Sequence, residues 1–245
     1  MNLEINNQLF IVSGATSGFG KAIAQALLQE GACVIVIARG EDKLRELYSG
    51  IENAELLSGD ITDYGTIDQL EYMVGERQLH GMVVNAGGPP AKMVLETTLQ
   101  DWDDAYQKIL RWKVAITQTF VPKMMKAGYG RIVYIESSSV KQPIENLVLS
   151  NSLRLAVVGM VKTLSQEIAR SGVTLNIIGP GSHNTPAIDR LYIKKAEQTG
   201  LSFEEVKKNA VNQIPVGSLG EAEDFASLAL WLLSPHSRYV TGQTM

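Results

Sequence analysis

Leu9-Phe10-Ile11-Val12-Ser13-Gly14-Ala15-Thr16-Ser17-Gly18-Phe19-Gly20-Lys21 carries a short apolar run into a glycine-rich turn and then into an amphipathic stretch. An apolar run of this length reads as a buried strand, and the spacing from Lys21 to Glu30 reads as a helix stopped by Gly31. Between them, glycines let the backbone approach a ligand closely while the N–H groups of the opening helix turn point at it. That is the arrangement that receives a pyrophosphate. Without the flanking strand and helix the glycines are equally well explained as a purely steric turn.

Outward from this unit the same alternation repeats. Cys33 to Ile37, Ala54 to Leu57, Gly81 to Val84, Arg131 to Ile135 and Thr174 to Ile178 read as strands, several of them apolar on both faces. Glu41 to Tyr48, Thr66 to Glu76, Trp102 to Lys126 and Ser152 to Arg170 read as helices, with Gly128 and Gly172 as stops. Strands apolar on both faces imply a parallel sheet covered on both sides, so the fold class is α/β: a doubly wound, Rossmann-type sheet in a single domain spanning 1–245. Right-handed crossovers then put the ligand site at the carboxyl ends of the strands. Residues 185–215 are polar, helical in pattern and break the alternation, which marks them as a substrate loop or lid.

Composition excludes several classes of function. Lys+Arg 22 against Asp+Glu 26 gives a net charge of −4 with no basic block, so no electrostatic footprint for nucleic acid is present. No apolar run approaches the ~20 residues that span a bilayer, and the polar stretch Met1 to Gln8 does not read as a signal peptide, which together imply a cytoplasmic protein. The one cysteine, Cys33, lies in a strand and leaves no disulfide framework or cysteine zinc site; no metal is expected. A small-molecule substrate is the partner that fits.

The second strand ends Val36-Ile37-Ala38-Arg39, without the acidic residue that would take the 2′-hydroxyl of NAD. Arg39 can instead form a charge-assisted fork with a 2′-phosphate, which favours NADP(H) over NAD(H); a solvated arginine at a strand end is the alternative.

The chain resembles the short-chain dehydrogenase/reductase family. Ser13-Gly14-Ala15-Thr16-Ser17-Gly18-Phe19-Gly20 is similar to its TGxxxGxG turn with Ser13 for threonine, Asp60-Ile61 to its adenine-contacting position, and Asn85-Ala86-Gly87 to its NAG motif. Pro180-Gly181 with Thr185 is similar to its PG motif and the threonine that holds the nicotinamide carboxamide. The resemblance runs from Leu9 to Gln243 and implies cofactor contacts at Gly14, Thr16, Ser17, Gly18, Phe19, Gly20, Arg39, Asp60, Ile61, Asn85, Ala86, Gly87, Arg154, Pro180, Gly181 and Thr185. It also implies a homodimer or homotetramer. The sequence stops at Thr241-Gly242-Gln243-Thr244-Met245, where the family continues into a further strand, so either the chain is truncated or it lacks that strand.

The family's catalytic set of Asn, Ser, Tyr and Lys is where this sequence departs from the pattern. Its serine falls on Ser137, with Ser138 and Ser139 as near alternatives, while register fixed by Gly159 and Lys162-Thr163-Leu164 sets Ser150 at the tyrosine position and Arg154 at the lysine position. The asparagine position falls on Ile109, inside an uninterrupted helix. A serine hydroxyl is a far weaker acid than the ~10 of tyrosine, and arginine holds ribose hydroxyls but does not relay protons. His183 is a candidate donor, since imidazole suits proton transfer near neutral pH, although a loop histidine is as readily a solvated surface residue. Tyr192 reads as a packing aromatic, Lys113 as solvated, and Glu136 as turned to the opposite face from Ser137. Two functions follow: an NADP(H)-dependent oxidoreductase with a degenerate active site acting on a small carbonyl or enone, or a catalytically silent dinucleotide-binding sensor or subunit.

Overall fold

A computed structural model describes residues 2–245. Strands β1 (Leu9–Ser13), β2 (Cys33–Ala38), β3 (Ala54–Ser58), β4 (Leu79–Val84), β5 (Gly130–Ile135) and β6 (Val173–Ile178) form one sheet in the order β3-β2-β1-β4-β5-β6, all pairs parallel. The order reverses between β1 and β4, so their two following loops diverge to opposite sides and leave a crevice at the strand ends. This is the doubly wound α/β fold expected from the alternation.

Strand alternation divides the core in two. Leu9 and Ile11 of β1 turn towards the layer of α3 (Tyr64–Val74), α5 (Trp112–Ala127) and α6 (Val148–Glu167), where Leu70, Phe120 and Val157 are completely buried. Phe10 and Val12 turn to the other layer, made by α1 (Gly18–Gln29), α2 (Glu41–Tyr48) and α9 (Ala222–Leu233). Burying one such aliphatic side chain is worth about 1.5–3 kcal/mol, and both faces of every central strand collect it. Cys33 begins β2 half-buried.

One expected helix divides. The stretch from Trp102 to Lys126 is α4 (Leu99–Tyr106), a π-helical turn over Gln107–Arg111, and α5. Ile109 therefore sits in a widened turn, not in an uninterrupted helix, and its side chain is buried in the core. One extra residue per turn changes which side chains face the sheet beyond it, and such turns concentrate at functional sites. Here it brings Lys108 to the crevice and Lys113 to the buried ends of the strands.

Residues 185–215 hold two helices, α7 (Pro186–Thr199) and α8 (Phe203–Val211), joined at Gly200, whose φ of 70° is left-handed. Pro186 opens α7 at a position where its missing N–H costs nothing, and Ser202 with Glu205 forms a capping box on α8. Tyr192 is buried on α7 and meets Phe203 of α8 edge-on. The final residues are also paired: Ile177 N–H donates to Gln243 and Met245 N–H to Ile177, so they run beside β6.

At the opposite end of the sheet the Leu9 N–H donates to Nδ1 of half-buried His80 (3.1 Å), a bond that requires this nitrogen to be unprotonated. Burial holds the His80 pKa below its ordinary 6.5, with the Gln78 backbone acting in the other sense. As pH falls through 6.5 towards this lower native value, the unfolded chain takes the proton first, so stability present above 6.5 is lost. Thermal melts across that window should show Tm falling with pH, and His80→Gln should flatten the slope.

Candidate active site

Ser13 ends β1 completely buried behind the crevice, its hydroxyl donating to the Asn85 carbonyl (2.7 Å) and accepting the Asn85 N–H (2.9 Å). The Asn85 amide in turn donates to the Ser13 carbonyl (3.3 Å), so the two loops at the switch point are stitched together. Gly14 lies at φ 67°, and a Cβ there would stand 2.7 Å from Asn85 Nδ2; a Cβ on Gly20 would stand 2.3 Å from the Gly14 carbonyl oxygen. From below, buried Tyr48 donates its hydroxyl to the Ala15 carbonyl (2.6 Å). Burial pushes that hydroxyl's pKa above the ordinary tyrosine range, so it remains a donor throughout the working pH range.

A cleft of about 790 Å³ opens above these contacts. Gly14, Thr16, Ser17, Gly18, Phe19, Arg39, Asp60, Ile61, Asn85, Ala86, Gly87 and Thr185 all line it, as the sequence predicts for a dinucleotide site. Gly20 supports the cleft from behind through its contact with Gly14. Pro180 and Gly181 do not line it; the Pro180 carbonyl accepts the Ser138 N–H (3.1 Å) and joins the loops after β5 and β6.

Exposed Arg39 stands at the end of β2 with no side-chain hydrogen bond to the described residues. Asp60 faces the same space. Partial burial works against its charge, but bonds from the Thr62 N–H (3.0 Å) and hydroxyl (2.8 Å), with Arg39 and Lys108 nearby, hold its carboxyl below the ordinary carboxylate range. Lys108 and Arg190 add two more cations to the wall, neither singled out by the sequence. Lys108 depends on the π-helical turn and Arg190 on the second turn of α7, so no local motif announces them.

Beyond the glycine-rich rim Gly87-Gly88-Pro89-Pro90 lies a buried charge cluster. Arg154 Nε donates to Ser150 Oγ (2.9 Å), while Nη1 donates to Glu136 (2.9 Å) and, more weakly, to the Ile135 carbonyl (3.4 Å). The other Glu136 oxygen accepts from Lys113, which is 2% exposed and therefore not solvated as its helix position suggests. Burial lowers the Lys113 pKa, Glu136 opposes the shift, and Arg154 reinforces it. Alternation does turn Glu136 away from the face of Ile135, but the face it reaches carries α5 and α6. It thus joins Ser150 and Arg154.

Other candidates are not part of that cluster. Ser137 Oγ accepts the Ser139 N–H (3.1 Å), a turn contact. The His183 ring lies against Phe19 (centroids 5.1 Å apart) and Phe225 (5.8 Å), with Nδ1 at the Gly181 carbonyl (3.0 Å), and no hydrogen bond joins it to Ser150 or Arg154. Among the described residues no group of three or more His, Cys, Asp or Glu is placed to hold a metal, and no helix is long and apolar enough to cross a membrane.

A family model described as "Enoyl-(Acyl carrier protein) reductase" matches residues 14–245. "Dehydrogenase/reductase SDR family member 6" of Xenopus laevis is 31% identical over 244 residues, covering 98% of this chain and 95% of the relative. The chain belongs to the short-chain dehydrogenase/reductase family. Within this short-chain family, the 3-oxoacyl-[acyl-carrier-protein] reductase FabG of Thermotoga maritima is 31% identical over 254 residues, covering 99% of this chain and 97% of its own. The crystal structure of a single-substitution variant of actinorhodin polyketide ketoreductase with NADPH superposes with a TM-score of 0.92 at 30% identity, covering 98% of this chain and 95% of that one.

Proposed function

We propose that this short-chain family member is an NADP(H)-dependent oxidoreductase with an altered proton-donor site, acting on a small carbonyl or enone. The observation that carries this reading is Arg39, exposed and without a side-chain hydrogen bond to the described residues, at the end of a β2 strand that itself ends without an acidic residue. The ketoreductase of similar fold was crystallised with NADPH, which supports the same choice.

The cradle fits the dinucleotide on steric grounds. A Cβ at Gly14 would clash with Asn85 and one at Gly20 with the Gly14 carbonyl, so only glycine permits this tight turn, whose backbone from Gly14 to Gly20 can hold the pyrophosphate. Arg39 would take the 2′-phosphate, Asp60 and Ile61 the adenine side, and Asn85, Ala86, Gly87 and Thr185 the nicotinamide side. Bound there, the cofactor supplies or accepts a hydride. The α7–α8 segment forms the substrate wall.

Ser150 and Arg154 stand where the family resemblance expects tyrosine and lysine, and their bonding explains what they do. Lys113, Glu136, Arg154 and Ser150 are connected in series, but any proton passing along the series must cross a guanidinium, which does not give up its proton. The cluster is therefore built to hold charge, not to relay it. Acceptors that need little protonation as hydride arrives suit such a site, and an enone is of that class. The same closed relay favours one alternative, a dinucleotide-binding subunit without turnover.

Titration of the purified protein with NADPH and NADH, followed by nicotinamide fluorescence, tests the proposal. NADPH is expected to bind at least tenfold tighter, a charge-assisted contact being worth about 1.5–3 kcal/mol, and Arg39→Ala should erase the preference. Failure of both cofactors to bind would sink the oxidoreductase reading. Tight NADPH binding with no oxidation across carbonyl and enone acceptors would select the silent subunit.

A further inference from the structure

Arg154 is about nine-tenths buried, and its guanidinium is only partly used. Nε is spent on Ser150 and Nη1 on Glu136 and Ile135, which leaves Nη2 without a hydrogen-bond partner among the described residues. That nitrogen would lie 3.6 Å from a Cβ on Gly88, so it faces the bare side of the glycine-rich rim. Gly88 itself lines the cleft. A guanidinium nitrogen carrying two N–H donors, on a side chain about nine-tenths buried, thus reaches the Gly88 stretch of the rim because residue 88 has no side chain.

The surrounding charge shows what those donors are suited to receive. One carboxylate, Glu136, is shared between Lys113 and Arg154, and no second acidic side chain among the described residues bonds to either cation. Glu136 and Ser150 also fix the guanidinium plane, so the free edge is held in one direction before anything binds. A fixed, planar, cationic edge matches an anionic oxygen far better than a neutral hydroxyl.

We infer that the substrate carries a carboxylate and that the free edge of Arg154 docks it beside Gly88. The site is then specific for small oxo acids or carboxylated enones over their neutral esters. This rests on the cleft being the acceptor site of the proposed oxidoreductase.

The test is calorimetric titration of the full chain, with and without saturating NADPH, using 4-oxo-4-phenylbut-2-enoate and its methyl ester as paired probes. The acid is expected to bind at least tenfold tighter than the ester, since the ester keeps the shape and loses only the charge. Arg154→Met should bring the ratio close to one. Gly88→Val should do the same by covering Nη2 while every bond of the buried cluster keeps both its partners, and it decides the matter if Arg154→Met does not fold. Equal binding of acid and ester, no binding of the acid, or a preference that survives in a folded Arg154→Met protein would each overturn the inference. Loss of NADPH affinity in Arg154→Met with an acid-to-ester ratio of one in the unmodified protein would assign the guanidinium to the cofactor ribose instead. The cofactor titration separates the two failures: an unmodified protein that prefers the acid but ignores NADPH loses the proposed oxidoreductase and keeps the carboxylate site.

Discussion

Gly20→Ala should abolish measurable NADPH binding while leaving a folded protein. The methyl group would stand 2.3 Å from the Gly14 carbonyl oxygen, 2.8 Å from its carbon and 2.9 Å from Asn85 Nδ2. Two of those atoms are backbone, and Gly14 is pinned in a left-handed conformation by the Ser13–Asn85 bonds on its other side. Relief must therefore come from moving the loop that would hold the pyrophosphate. Overpacking of this kind costs about 1–3 kcal/mol, and a loop displaced by even an ångström no longer presents its N–H groups in register. A fall in NADPH affinity of about a hundredfold or more is expected by fluorescence titration, with circular dichroism unchanged. Gly159→Ala, on α6 with nothing within 4 Å of the added methyl, is the matched control and should bind NADPH normally. Normal binding by Gly20→Ala would show that the cradle is not where the cofactor sits.

The second large effect concerns stability. Glu136→Gln leaves Lys113, 2% exposed, with no counter-charge, and Arg154 with a neutral partner. Breaking a buried pair from one side costs about 3–5 kcal/mol, which for a chain of this size lowers Tm by roughly 10 °C. The loss should depend on pH with a definite sign. Burial already lowers the Lys113 pKa, so the native state releases this proton before the unfolded chain does, and the deficit should shrink as pH rises towards the ordinary lysine range. Adding Lys113→Met to Glu136→Gln should recover much of the lost stability, because the stranded charge is then gone. Equal melting temperatures for Glu136→Gln and the unmodified protein would mean that the cluster is not buried as described.

The dinucleotide cradle was readable from sequence because its physics is local: a strand, a turn requiring left-handed glycine and a helix start all lie within Leu9 to Lys21. The sheet was readable for a similar reason, since strands apolar on both faces announce their own burial. The charge cluster was not. Lys113, Glu136 and Arg154 come from α5, the end of β5 and α6, and a lone charged residue on each element is indistinguishable from a solvated one until the elements meet. Strand alternation gave the correct side for Glu136 but could not say what waited there. The Tyr48 anchor escaped notice because its partner is a backbone carbonyl 33 residues away, and Lys108 because a π-helical turn has no sequence signal of its own. His183 shows the converse: its place after Pro180-Gly181 suggested chemistry, while the aromatic neighbours that occupy its ring are brought by α1 and α9.

Lys194 of α7 reaches across to the Ala91 carbonyl (2.9 Å), just past the glycine-rich rim, and this solvent-exposed bond ties the wall to the mouth of the cleft. An exposed hydrogen bond of this kind has a net worth of about 0.5–1.5 kcal/mol, so thermal energy alone breaks it in roughly one molecule in ten. That point of the rim is consequently latched lightly, and this bond by itself sets no lasting barrier between the cleft and solvent.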